Sequence, residues 1–175
     1  MSTQLNPGFP FDAFRDVLAD NQKFVHDYHA SDRTGRAARG LAIVTCMDSR
    51  VVPMEAVGMS IGDAKIIRNA GARVTQDVLR TLSLACYLLG VNRILIMPHT
   101  DCRMAKGEEE AVHQEIFNQY GIDTWSMEFA TTTDQLGTLR TDVMRARANP
   151  FLPADVSVGG AIYDVATGQI IPQDL

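Results

Sequence analysis

LAIVTCMDSR, residues 41–50, sets five apolar or β-branched residues directly against a cysteine, an aspartate and an arginine. The run Leu41 to Thr45 is short and without polar alternation. That pattern belongs to a strand buried on both faces, as in a parallel sheet. Cys46, Asp48 and Arg50 then follow at the strand's carboxyl end, where open α/β sheets gather their functional groups.

Two further segments repeat this design. AKIIR at 64–68 follows Gly62-Asp63 and ends in Asn69-Ala70-Gly71, and NRILIMP at 92–98 delivers the chain to His99. Between them, TQDVLRTLSLACYLLG places Val78, Leu79, Leu82, Ala85, Cys86 and Leu89 on one helical stripe. Thr75 suits the N-cap and Gly90 the C-terminal stop. Phe11, Phe14, Val17, Leu18, Val25 and Tyr28 recur at helical spacing after Pro10 and predict an N-terminal helix to about residue 29. The polar stretch 31–40 reads as a loop. Helices are also predicted over about 107–120, stopped by Gly121, and about 133–148, entered through a Thr132/Gln135 capping box and stopped by Asn149-Pro150. The stretch between them has no clear period. The tail SVGGAIYDVATGQII carries two β-like runs around Ala166-Thr167-Gly168, a terminal hairpin or an edge extension. Strands alternating with helices predict an α/β fold, a three-layer α/β/α sandwich with a mainly parallel central sheet, an N-terminal helix and a C-terminal edge strand. One domain over residues 1–175 is the expectation.

Composition narrows the function. With 46% apolar and 21% charged residues in 175, the chain can build one full core. A formal charge of −5 offers no basic face for phosphates, so nucleic acid is not an expected partner and a small molecule is. No apolar run reaches the roughly 18 residues that span a bilayer, and MSTQLNPGFPFDAF lacks the basic and apolar regions of a secretory signal. The expectation is a soluble, cytoplasmic protein with no membrane partner. Three cysteines are too few and too odd for a disulfide framework, which leaves metal binding, reactivity or burial.

Their positions decide among these. Cys46 ends the first strand, and His99 and Cys102 follow the third, so neighbouring strands bring two thiolates and one imidazole toward one ion. Zinc prefers such ligands, and a catalytic site uses three of them with the fourth position left for water or substrate. Cys86 lies on an apolar helix stripe and is assigned to the core. Asp48 can accept a hydrogen bond from water on the metal or coordinate the metal itself as a fourth ligand. Arg50, two residues on, can grip Asp48 bidentately, keep it ionised and decide between those uses.

Competing readings are weaker. A phosphatase loop would need arginine at position 52, where the chain has Val52. Gly71 has no G-x-G-x-x-G around it and needs only a turn. His26, His29 and His113 stand on predicted helices without ligand partners and read as surface or half-buried groups, a proton-shuttle role being the alternative. Arg68 reads as a salt bridge before an anion contact.

CMDSR at 46–50, RNAG at 68–71 and HTDC at 99–102 together resemble the β-carbonic anhydrases, closely over about 41–102 and more weakly in GGAIYDVATGQI. The resemblance is not evident over 105–150. It implies reversible hydration of carbon dioxide to bicarbonate by a zinc-bound hydroxide, with Cys46, His99 and Cys102 as ligands and Asp48/Arg50 as the orienting pair. Zinc lowers the pKa of its water from 15.7 to about 7, and two thiolates should weaken that effect somewhat. The resemblance further implies a homodimer or higher even-numbered homo-oligomer, with Asn69, Ala70 and Gly71 near a cleft between protomers. Sequences of the same fold hydrolyse carbonyl sulfide or carbon disulfide on the same ligand set, and this is the alternative substrate class. A zinc-binding regulatory module without turnover is the second alternative. Arg103 stands where the family usually has glycine. It is expected to favour the zinc hydroxide, to attract an anionic product, or to pair with Glu108 to Glu110.

Overall fold

A computed structural model describes residues 8–29 and 33–175, in two compact units that divide between Arg33 and Thr34. The expected loop at 31–40 and the N-terminal stretch read as lacking a secretory signal therefore fall partly outside the described residues.

In the N-terminal unit a 3-10 turn, Phe11–Phe14, precedes helix α1, Arg15–His26. The single helix predicted to residue 29 is thus interrupted at Phe14, where φ −122° leaves the helical region, and ends three residues early. Phe9 meets Phe11 and Phe14 at ring-centroid distances of 5.0 and 5.3 Å, and Phe24 meets Tyr28 at 5.2 Å. All five rings are largely exposed.

The second unit is built on a five-stranded sheet of order β2-β1-β3-β4-β5. The strands are β1 Leu41–Cys46, β2 Ala64–Asn69, β3 Arg93–Met97, β4 Ser157–Tyr163 and β5 Ile170–Gln173. The first four are parallel and β5 is antiparallel to β4, so the tail is a hairpin at the sheet edge. Pro172 is tolerated because an edge strand needs no outward amide. β1 is flanked by β2 and β3, and all six of its residues are buried.

Alternation along β1 and β3 feeds two apolar layers. Ala42, Val44, Ile94 and Ile96 pack with Val78 and Leu82 of α3, Gln76–Leu88, and with Leu139 and Val143 of α5, Gln135–Arg147. Leu41, Ile43 and Met97 face the other way, toward Val51 and the short helix α2, Pro53–Ala56. This is the three-layer arrangement expected. α2 was not anticipated: four residues leave no periodic trace beyond Pro53 at its start. Thr75 caps α3 by accepting from the Val78 amide, as predicted. α5 is capped by Asp134, which accepts from the Gly137 amide, and not by a Thr132/Gln135 box. Thr132 instead accepts from the Asp134 amide and meets Thr138. α4, Glu109–Tyr120, stops at left-handed Gly121.

Glycine matters most at Gly160 in β4. A β-carbon there would meet Leu175 at 2.7 Å, Val143 at 3.0 Å and Leu139 at 3.2 Å. The bare backbone lets α5 approach the sheet closely, and α5 reaches the site described next.

Candidate metal centre

Parallel register brings the strand ends together. Cys46 pairs with Asn69 across β1/β2, Thr45 with Met97 across β1/β3, and His99, just beyond β3, bridges to Tyr163 at the end of β4. The buried side chains of Cys46, His99 and Cys102 consequently place one donor atom each within 4.8 Å of one another. The two sulfurs are 3.9 Å apart, far beyond a disulfide bond and close to the edge of about 3.8 Å that two thiolates make around one tetrahedral zinc with 2.3 Å bonds.

The imidazole is prepared for a metal. His99 Nδ1 lies 2.8 Å from the Thr100 carbonyl, which can only accept, so Nδ1 carries the proton and Nε2 presents a lone pair. Nε2 is fully enclosed and, among the described residues, is the one buried side-chain nitrogen or oxygen without a hydrogen-bond partner. A buried acceptor of this kind costs about 1–3 kcal/mol unless something binds it. The thiols point the same way. The Cys102 thiol, then the Asp48 and Gly71 amides, hold Cys46 well below the usual thiol range. The hydrogen bond to Cys46, and then burial, push Cys102 well above it. A divalent ion between the two sulfurs would let both thiols ionise. The donor set fits zinc.

Asp48 stands beside the cluster, its Oδ2 3.7 Å from His99 Nε2. Arg50 grips both carboxylate oxygens, Nε to Oδ1 at 3.0 Å and an outer nitrogen to Oδ2 at 2.8 Å, and its amide adds a third bond to Oδ1 at 2.9 Å. These bonds hold the carboxyl well below the ordinary carboxylate range. The pair expected from sequence is formed, with Asp48 ionised.

Residues flanking the site clarify the remaining expectations. Arg68 makes no salt bridge among the described residues: it donates to the carbonyls of Cys46 at 2.9 Å and Asp48 at 2.6 Å, fixing the turn that follows β1. Asn69 ties the 69–73 loop with bonds to the amide and carbonyl of Arg73, while Gly71 adopts φ +78°. Arg103 pairs with Glu115 of α4, one helical turn beyond the acidic run expected to receive it. Cys86 is half-buried against the core, and burial raises its thiol further. His26 and His29 are exposed, as read, but His113 is buried: it stacks on Trp125 at 4.7 Å and bonds Thr124 at 2.9 Å.

Two residues near the ligands were not singled out from sequence. Gln135 Nε2 donates to the His99 carbonyl at 2.9 Å, and its only sequence signal was its place in the Thr132/Gln135 capping box, which does not form. Asp101, inside HTDC itself, accepts from Arg50 at 2.9 Å and from Lys106 at 2.6 Å.

Two thiols and an imidazole converging at the carboxyl ends of parallel strands, beside an ion-paired carboxylate, make a donor set that would hold a zinc ion. The carbonic anhydrase family model matches residues 41–148, more than half of the chain. Beta-carbonic anhydrase 1 of Mycobacterium tuberculosis is 37% identical over 134 residues, 76% of this chain and 81% of that protein. A carbon disulfide hydrolase of an Acidianus strain is 32% identical over 158 residues, 75% of this chain and 76% of that one. The crystal structure of a carbonic anhydrase from Streptococcus mutans superposes with a TM-score of 0.86 at 32% identity, covering 95% of this chain and 99% of that one. The chain belongs to the β-carbonic anhydrase family, and the match extends through the 105–148 region where the sequence motifs gave no sign of it.

Proposed function

We infer that this chain hydrates carbon dioxide reversibly to bicarbonate on a zinc ion held by Cys46, His99 and Cys102. The observation carrying this is the unpartnered, fully buried His99 Nε2 converging with two thiols within 4.8 Å. When bound, zinc supplies the Lewis acidity that makes water a nucleophile near neutral pH.

The protein's own groups do the rest. Asp48, kept ionised by Arg50, can only accept, so it takes a hydrogen bond from the reacting water and turns an oxygen lone pair toward the carbon of carbon dioxide. Its basicity is too low for it to carry a proton away at neutral pH, which leaves that task to buffer or solvent. Arg68 and the Arg50 amide hold the 46–50 turn that aims both Cys46 and Asp48.

Stopped-flow hydration assays on the zinc-loaded protein test the reading. Activity is expected, with loss on chelation and in Cys102→Ser; a zinc-replete protein inert at pH 8.5 overturns it. Carbonyl sulfide or carbon disulfide hydrolysis is the second reading, favoured by the carbon disulfide hydrolase relatives. Sulfide release measured beside hydration decides between them. The same reading includes a homodimer or a higher even-numbered assembly, supported by the exposed Phe11, Phe14, Phe24 and Tyr28, which association would cover. Light scattering checks the subunit number. A cytoplasmic location is supported by the need to keep two adjacent thiols reduced, and cell fractionation checks it.

A further inference from the structure

The grip of Arg50 on Asp48 does not stand alone. Arg50 is 46% exposed at its side chain, and a lone exposed pair of this kind holds weakly against solvent. Its remaining outer nitrogen donates to Asp101 Oδ2 at 2.9 Å, and the nitrogen that binds Asp48 Oδ2 also reaches the Asp101 carbonyl at 3.2 Å. Asp101 is itself fixed twice. Lys106 bonds its other oxygen at 2.6 Å, and its backbone is left-handed at φ 54°, between the two ligands His99 and Cys102. The guanidinium is therefore fastened on one side to a carboxylate beside the donors and on the other to the loop that carries two of those donors.

We propose that Asp101 is a positioning residue that keeps Asp48 off the metal by anchoring Arg50. The alternation Lys106, Asp101, Arg50, Asp48 makes a four-member chain of opposite charges in which each inner member has two partners. With the Asp101 carboxylate gone, Arg50 keeps Asp48 and only the longer 3.2 Å bond to the backbone carbonyl of residue 101, and can swing with Asp48 into solvent or release it. Asp48 Oδ2 already lies 3.7 Å from His99 Nε2, within a side-chain rotation of a fourth ligand position. The inference rests on the proposed roles of Asp48 and Arg50, and extends them to the residue that sets the balance between an orienting and a coordinating carboxylate.

The test uses the full chain loaded with cobalt(II) in place of zinc, and thiocyanate as the probe of the fourth position. Asp101→Gly removes the carboxylate while easing the left-handed backbone, and Asp101→Asn keeps the shape and one acceptor without the charge. Thiocyanate is expected to perturb the visible cobalt bands of the parent protein. In Asp101→Gly the same perturbation should need about tenfold more thiocyanate, the scale of second-sphere changes at metal sites, with Asp101→Asn between the two. Adding Asp48→Asn to Asp101→Gly should restore the parent response. Parent-like titrations in both single variants overturn the proposal. So does a pattern in which Asp101→Gly loses stoichiometric cobalt while Asp101→Asn titrates like the parent, because that assigns Asp101 a role in folding alone. Because the readout is spectroscopic, a parent protein that hydrates no carbon dioxide would sink the catalytic reading and leave this one standing or falling by its own spectra.

Discussion

Asp48 receives three hydrogen bonds from Arg50 and so has little left to offer the metal, whereas a carboxamide at the same place would lose the ion pair and keep the shape. Asp48→Asn should therefore retain zinc and its melting temperature while kcat/KM falls by about tenfold or more, as seen when groups orienting a metal site are removed. Metal analysis, calorimetry and stopped-flow assays on one preparation check all three. Away from the metal, Asp164 closes the β4/β5 turn by accepting from the Ala166 amide and the Thr100 and Thr167 hydroxyls. The Ala166 amide first, then Thr167, lower its pKa. A lowered folded-state value means a contribution present above the unfolded value of about 3.9 and lost as pH falls through the folded value. The melting temperature should then drop more steeply below about pH 4 in the parent than in Asp164→Asn, as calorimetry against pH would record. The three donors were legible because each follows an apolar strand or stands three residues from one that does. The partners of Arg68 and His113 were not legible, because backbone carbonyls and the irregular 122–132 segment leave no spacing to read.

Helix α5 is the element that connects the sheet to the site. Its Leu139 and Val143 pack on β3 and β4, its Asp142 forms a buried pair with Arg73 at 2.7 Å, and its first residue holds the His99 carbonyl. Gly160→Val would push into Leu139, Val143 and Leu175, and overpacking of this kind costs about 1–3 kcal/mol. Urea unfolding should show that loss, and zinc affinity should weaken with it, because the displaced helix carries Gln135. The milder Gln135→Leu removes the hydrogen bond alone, and should weaken zinc retention in competition with a chelator while changing stability little. At this scale the alternation of strands and helices was readable in the sequence. The capping of α5 was misread because Thr132 and Asp134 are both good cap residues two positions apart, and the contact between Thr132 and Thr138 decides between them.

For the second unit as a whole, a metal that binds the folded chain and not the unfolded one adds stability by mass action, about 4 kcal/mol at a thousandfold excess over Kd. Chelation should accordingly lower the melting temperature by several degrees, and zinc restored to the same sample should reverse the shift. The sheet order brings together residues that are remote along the chain: Cys46 and Cys102 are 56 residues apart. Such long-range pairing is slow to form, since the loop between the strands must close before any contact compensates for it. The donor cluster exists only after β3 has docked beside β1, so a nascent chain has no preformed site at which to capture an ion. Metal uptake should thus be a late event on the folding path, and the cobalt bands should grow with the final kinetic phase of refolding, not with early collapse.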